Sequence, residues 1–220
     1  MSQEELFHSC VGKLYEMALE PEGWGAFLDD FCSVIDAAFA HYVAWDERCD
    51  ATVFSASSRA IPTGSEQAYI EHYGAIDPRR KLITERGEGE WVLCHEHFDQ
   101  RYVSQSEFYQ DFLIRVGGRY VAVTNLGVVD GVMLGPGMHR GKDREPFGPR
   151  EAIWLERIKP HLQRAARLHM EVWRLRLHAS LVEHALDALQ YLVRVVDEHA
   201  NAAAQRSVWA GIGQEEGETE

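Results

Sequence analysis

The sequence predicts an α+β fold, an antiparallel sheet covered on one side by helices and followed by a long C-terminal helix, and three features point to it. β-type runs come in adjacent pairs around polar turns, at residues 40–46 with 51–57 and at 120–129 with 132–139. Amphipathic helical stretches lie between and around these pairs instead of alternating one for one with single strands, which argues against a βαβ sheet and its nucleotide crevice. From residue 149 to about 192 the pattern is helical throughout.

Each element has its own signal. The opening helix carries Leu6, Cys10, Val11, Leu14, Met17 and Ala18 at helical spacing and stops at Pro21. The second begins near Trp24 and aligns Phe27, Leu28, Phe31, Val34, Ile35 and Ala38 on one stripe. The first hairpin turns through Glu47-Arg48-Cys49-Asp50, and Ser65 is the expected N-cap of a helix carrying Tyr69, Ile70 and Tyr73. Asp77-Pro78 breaks that helix, and a short one follows to Thr84. Residues 90–94 read as a strand, and residues 104–116 as a helix with the capping pattern Ser104-x-x-Glu107, ended by Gly117-Gly118. The second hairpin turns on Asp130-Gly131, a strong two-residue turn signal, while Gly135-Pro136-Gly137 reads as a turn ending its strand. Pro149 opens the last helix, and the acidic residues 214–220 lack an apolar face and are expected to be disordered. The resulting organisation is a sensor-sized domain at 1–148, a kinked helix at 149–192 and a C-terminal segment at 193–220.

Composition narrows the function classes. The 220 residues hold 22 Lys+Arg against 35 Asp+Glu, and the resulting charge of −13 opposes binding to nucleic acid or an anionic membrane surface. No apolar run is long enough to span a bilayer, and the acidic start lacks a secretion signal, so a cytoplasmic protein is expected. Cys10, Cys32, Cys49 and Cys94 form no CxxC pair and are expected to be reduced.

Signals for chemistry are sparse. On a strand His95 and His97 would share one face and Cys94 and Glu96 the other, so Cys94-His95-Glu96-His97 cannot converge on one ion without a bend; it reads as a strand end entering a polar loop. No nucleophile elbow, protease cysteine signature or phosphate loop occurs, so neither an enzyme nor a cofactor is indicated. Aromatic residues cluster on the elements flanking the sheet. Tyr42, Trp45, Tyr73, Trp91, Tyr109, Phe112 and Tyr120 are the expected walls of a small-molecule pocket of about 300 Å³ or more, with Asp46 or Asn125 as polar anchors.

Three stretches carry a resemblance. Tyr69-Ile70-Glu71-His72-Tyr73-Gly74-Ala75-Ile76-Asp77-Pro78, then Ser106-Glu107-Phe108-Tyr109-Gln110-Asp111-Phe112-Leu113, then Phe147-Gly148-Pro149-Arg150-Glu151 with Lys159-Pro160-His161-Leu162-Gln163-Arg164-Ala165 recur in this order. Together with Trp24-x-x-Phe27-Leu28 they resemble the amino-terminal sensor region of LuxR-type bacterial transcriptional regulators, across roughly Leu6 to Leu168. The resemblance implies a PAS/GAF-like module that senses a small ligand and is not an enzyme. Those regulators end in a helix-turn-helix, and no such pattern follows Leu192, so this chain alone is not expected to bind DNA specifically. A structural dimerisation domain without ligand, or a haem- or metal-binding sensor, are the alternative readings.

The last helix carries a seam. Positions 154, 158, 161, 165, 168, 172, 175, 179, 182, 186 and 189 alternate steps of four and three, and ten of the eleven are apolar. Pro160 is expected to kink the helix, and Ile158, Ala165, Leu168, Val172, Leu175, Ala179, Val182, Leu186 and Leu189 are the expected homodimer contacts.

Overall fold

The computed structural model describes residues 2–20 and 23–215, with side chains to residue 187 and at 189. The chain forms two units, Met1–Val172 and Trp173–Glu220.

In the first unit, α1 (Gln3–Ala18) opens on a reciprocal capping box between Ser2 and Glu5. α2 (Trp24–Ile35) ends where Asp36 turns left-handed at φ 54°. The hairpin of β1 (Phe39–Asp46) and β2 (Ala51–Ser57) follows. α3 (Ser65–Ala68) runs into a π-helix, Tyr69–Tyr73, and is entered through Gly64 at φ 86°, so that glycine takes the N-cap position expected of Ser65. Asp77 caps α4 (Pro78–Thr84), with Pro78 at its first position. Next come β3 (Trp91–Leu93), a 3₁₀ turn at Cys94–Glu96 and α5 (Gln100–Gln105), then a second π-helix at Phe108–Leu113. The one helix expected at 104–116 is therefore two pieces. Its cap is Asp99, which accepts from the Tyr102 N–H, and Ser106 is extended between the pieces.

β4 (Tyr120–Thr124), β5 (Val128–Val129) and β6 (Val132–Arg140) complete the sheet, whose order is β2-β1-β6-β4-β3, antiparallel throughout, with β5 on β6. Residues 120–129 are not one strand, because the chain leaves the ladder at residues 125–127 and rejoins it as β5. The Asp130-Gly131 turn holds, with both residues at positive φ, 50° and 81°, as a two-residue turn with this twist requires. Gly135-Pro136-Gly137 lies inside β6, paired to Val43, Tyr42 and His41. β4 pairs β6 only as far as Gly137, so Pro136, which has no N–H, stands just beyond that ladder.

Helices cover both faces of the sheet rather than one. One face carries Tyr42, whose ring stacks on Trp24 of α2 at 4.0 Å, and Trp91, whose Nε1–H donates to the Leu155 carbonyl. The other carries Trp45, Val92, Val121, Val123 and Met133, buried together with Tyr69, Ile83, Val103, Phe108, Tyr109, Phe112 and Leu113.

α6 (Pro149–Glu215) continues through Pro160. Its residues in the first unit bury Leu155, Ile158, Leu162, Ala165, Ala166, His169 and Met170. The second unit is the helix from residue 173 onward, and Leu175, Leu177, Leu181, Val182, Leu186 and Leu189 are exposed on it. The expected disorder of residues 214–220 falls, beyond Glu215, outside the described residues.

Candidate functional site

Alternation along β1 decides which side chains can share a cavity. His41, Val43 and Trp45 point to the face covered by the π-helix Tyr69–Tyr73 and by α4, and there the side chains leave space unfilled. The central strand contributes Gly135 and Gly137 to the same face, and without side chains they open a notch in the sheet. An inner cavity of about 50 Å³ lies over this notch, between His41, Val43, Trp45, Tyr69, Asp77, Arg79, Arg80, Ile83, Val123, Met133 and His139. A smaller space of about 20 Å³ adjoins it through His41, Tyr69, Arg79 and His139 and reaches Phe112. A groove of about 480 Å³ shares Trp45, Asp77, Arg80 and Met133 with the inner cavity and is open to solvent.

The polar centre is a buried ion pair. Asp77 Oδ1 accepts from the Arg79 backbone N–H at 2.9 Å and from its Nε–H at 2.8 Å; Oδ2 accepts from Arg79 Nη2 at 2.6 Å and from the Tyr69 hydroxyl at 3.0 Å. Four donors fill the four lone-pair positions of the carboxylate. Arg79 also lies over the Phe108 ring at 4.8 Å, and Arg80 over the Trp45 ring at 3.4 Å. Burial pushes His41 down to about 4, with Arg79 acting in the same direction and Glu66 and Asp77 against it. His139 is lowered for the same first reason, helped by Arg79 and His41, so both imidazoles are neutral at pH 7. Trp45 Nε1, Arg80 Nε and His139 Nδ1 are buried without a hydrogen-bond partner.

The structure divides the residues expected in the pocket. Trp45 lines the cavity and the groove, Phe112 lines the adjoining space, and Tyr73 stacks on Phe112 at 4.6 Å. Tyr109 is buried in the same core cluster, beside Phe108 and Phe98. Tyr42 and Trp91 lie on the opposite face. Asp46 pairs with Arg48 at the hairpin end, its carboxyl held down to about 2 by that guanidinium. Tyr120 packs on Arg119 and His95. Asn125 closes a turn, accepting from the Gly127 N–H on its side chain and from the Gly89 N–H on its carbonyl. The inner cavity is smaller than the 300 Å³ expected, and the outer groove is larger. His41, Asp77, Arg79, Arg80 and His139 were not among the expected site residues. Their one sequence signal was Asp77-Pro78-Arg79-Arg80, where a helix-breaking cap is followed by two guanidiniums.

Cys94 is buried in the core, while His95 is ring-packed on Tyr120; among the described residues no group of three His, Cys, Asp or Glu could hold a metal ion. No helix among the described residues is long and apolar enough to cross a membrane.

No protein-family model matches the chain, and no curated protein matches it in sequence. Solved structures match it in fold. One is the N-acylhomoserine lactone-dependent LuxR family transcription factor CepR2 from Burkholderia cenocepacia, with a TM-score of 0.55 at 18% identity over 75% of this chain and 93% of that one. Another is the ligand-binding domain of VqsR from Pseudomonas aeruginosa, with a TM-score of 0.56 at 12% identity over 75% of this chain and 96% of that one. The resemblance read from the motifs, to the sensor region of LuxR-type regulators, is thus matched at the level of fold.

Proposed function

We propose that this chain is the ligand-sensing module of a LuxR-type transcriptional regulator, which takes a small molecule between its sheet and the segment Ser65–Thr84, dimerises through α6 and passes ligand state along that helix. The observation that carries the reading is the inner cavity, whose lining residues Trp45, Arg80 and His139 each hold a buried polar atom without a partner and which shares Trp45, Asp77, Arg80 and Met133 with an open groove. Orphaned buried donors cost roughly 1–3 kcal/mol each, a cost that a ligand supplying acceptors would remove. The module is read as a cytoplasmic, non-enzymatic protein that does not bind DNA by itself. Its organisation is read as sensor at 1–148, dimerisation helix at 149–192 and C-terminal segment at 193–220.

The dimer contact is the finer part of this reading. Ile158 and Ala165 are fully buried within the first unit, so the seam left for a partner is the run from Leu168 onward. Leu175, Val182, Leu186 and Leu189 are 62, 59, 52 and 58% exposed. Covering each contributes about 1–2 kcal/mol, since a fully buried side chain of this size is worth about 1.5–3 kcal/mol. Sedimentation of the intact chain at micromolar concentration is expected to give a dimer, and a Leu175→Glu, Val182→Glu variant a monomer. A 25.0 kDa wild-type species overturns the dimer.

The small inner cavity supports one rival, a dimerisation module with a filled core and no ligand. Native mass spectrometry of the purified intact chain, followed by a thermal-shift screen, separates the two. A retained or stabilising small molecule whose effect disappears in Trp45→Phe supports the sensor. Indifference to every compound supports the rival.

A further inference from the structure

The unpartnered groups that Trp45, Arg79 and Arg80 bring to the cavity are all donors, beside the neutral His139 Nδ1. Asp77, the cavity's only carboxylate, is saturated by Arg79 and Tyr69 and has no lone pair left for a ligand N–H. The donors, in contrast, are in surplus. Arg79 spends its Nε–H and one Nη2–H on Asp77, and its Nη1 has no hydrogen-bond partner among the described residues. Trp45 Nε1 and Arg80 Nε are buried without partners. Charge points the same way. The lining holds two guanidiniums, Arg79 and Arg80, against one carboxylate, and both imidazoles are neutral, which leaves one positive charge in excess. Asp50, which pairs with Arg80 at 2.7 Å, has a carboxyl 72% exposed and stands outside the inner cavity.

Building on the sensor reading above, we propose that the ligand is an apolar monocarboxylate, its two oxygens received by the Nη edge of Arg79 and the indole N–H of Trp45. An arginine fork matches a carboxylate in geometry, and the Nη1 edge is the one Asp77 leaves open. Asp77 lies on the other edge of that guanidinium, so the two anions are separated by the cation they share. Val43, Ile83, Val123 and Met133 make the apolar part of the lining, beside the neutral His41 and His139. One water needs about 10–15 Å³, so the inner cavity of about 50 Å³ holds a head group of roughly four heavy atoms, and the apolar body extends past Trp45 and Met133 into the groove.

The test uses the full chain at pH 7, with butanoate, hexanoate and octanoate compared by calorimetry against octanamide and methyl octanoate. Octanoate is expected to bind at least tenfold more tightly than either neutral compound, the difference one charge-assisted hydrogen bond makes. Trp45→Phe keeps the ring and removes the donor, and is expected to weaken octanoate about tenfold with unchanged circular dichroism. Arg80→Gln, which removes the excess charge without touching Asp77, gives a second, independent loss. Neutral compounds that bind as tightly as the acid overturn the carboxylate and leave the sensor standing. If no acid binds, the carboxylate is also overturned, and the sensor reading then falls or stands on the mass spectrometry described above.

Discussion

Asp77→Ala isolates the buried pair at the centre of the site. The carboxylate is 3% exposed and the Arg79 side chain 8%, so removing Asp77 leaves a guanidinium with no counter-ion in a nearly dry place. Breaking a buried pair from one side costs about 3–5 kcal/mol, and loss of the cap on α4 adds about 1 kcal/mol. The expected destabilisation is therefore about 4–6 kcal/mol, a fall in Tm of roughly 8–24 °C for a chain of this length. Removing both charges while keeping the cap oxygen, as Asp77→Asn with Arg79→Met, is expected to cost less than the single Asp77→Ala change, because no uncompensated ion remains. Urea unfolding followed by tryptophan fluorescence, at one fixed protein concentration, measures both variants. A cost below about 1 kcal/mol for Asp77→Ala, or a double variant less stable than the single, refutes the reasoning.

Three further outcomes follow from the same structure. His41 has a folded-state pKa of about 4 against about 6.5 unfolded, so its contribution is complete above pH 6.5 and is lost as pH falls toward 4. Acid unfolding monitored between those values should show a loss of about 2–3 kcal/mol that is shallower in His41→Asn, with His139 acting in the same direction. Cys10, Cys32 and Cys94 are buried, and burial holds each thiol up to about 12, whereas Cys49 is exposed. A thiol-reactive chromophore should therefore titrate one fast group in the native protein, absent in Cys49→Ser, and all four after denaturation. A methyl group at Gly135 would stand 3.3 Å from the Thr124 carbonyl and 3.7 Å from Ile83 Cδ1, within the notch. Gly135→Ala should change stability by less than about 1 kcal/mol, the strand gain offsetting the tight contact, while octanoate affinity falls; unchanged affinity would remove the notch from the site.

Much of the fold could be read from local rules, because hairpins and capped helices are specified by residues close in sequence. Asp130-Gly131, Asp77-Pro78 and the stripe from Trp24 to Ile35 each did what their chemistry requires. The site was harder to read, for a geometric reason. Tyr42 and Trp45 stand three residues apart on one strand and so lie on opposite faces in any register, but which of the two faces the cavity is settled only by the pairing of β1 with its neighbours and by the helices that cover each face. Trp45 falls on the cavity side and Tyr42 against Trp24. Gly135-Pro136-Gly137 misled for a related reason. Glycine and proline are punctuation in most chains, and only the pairing of β6 with β1, some ninety residues distant, shows that here they lie mid-strand.

The seam of α6 shows how one periodicity can serve two partners. A four-three repeat runs from Trp154 to Leu189, and sequence alone does not say where cover by its own domain ends. Burial does. Ile158 and Ala165 are fully enclosed and Leu168 is 39% exposed, while Leu175 is 62% exposed and the exposure continues to Leu189. A helix face that packs on a globular core drifts toward a period of 3.6, whereas one that meets a second helix can hold 3.5. The strict repeat persists through the exposed stretch. That persistence is what favours a partner helix over an idle surface. It also assigns a cost to each substitution: glutamate at Ala165 would be buried in the sensor itself and unfold it, whereas glutamate at Leu175 should leave the monomer intact and abolish only its pairing.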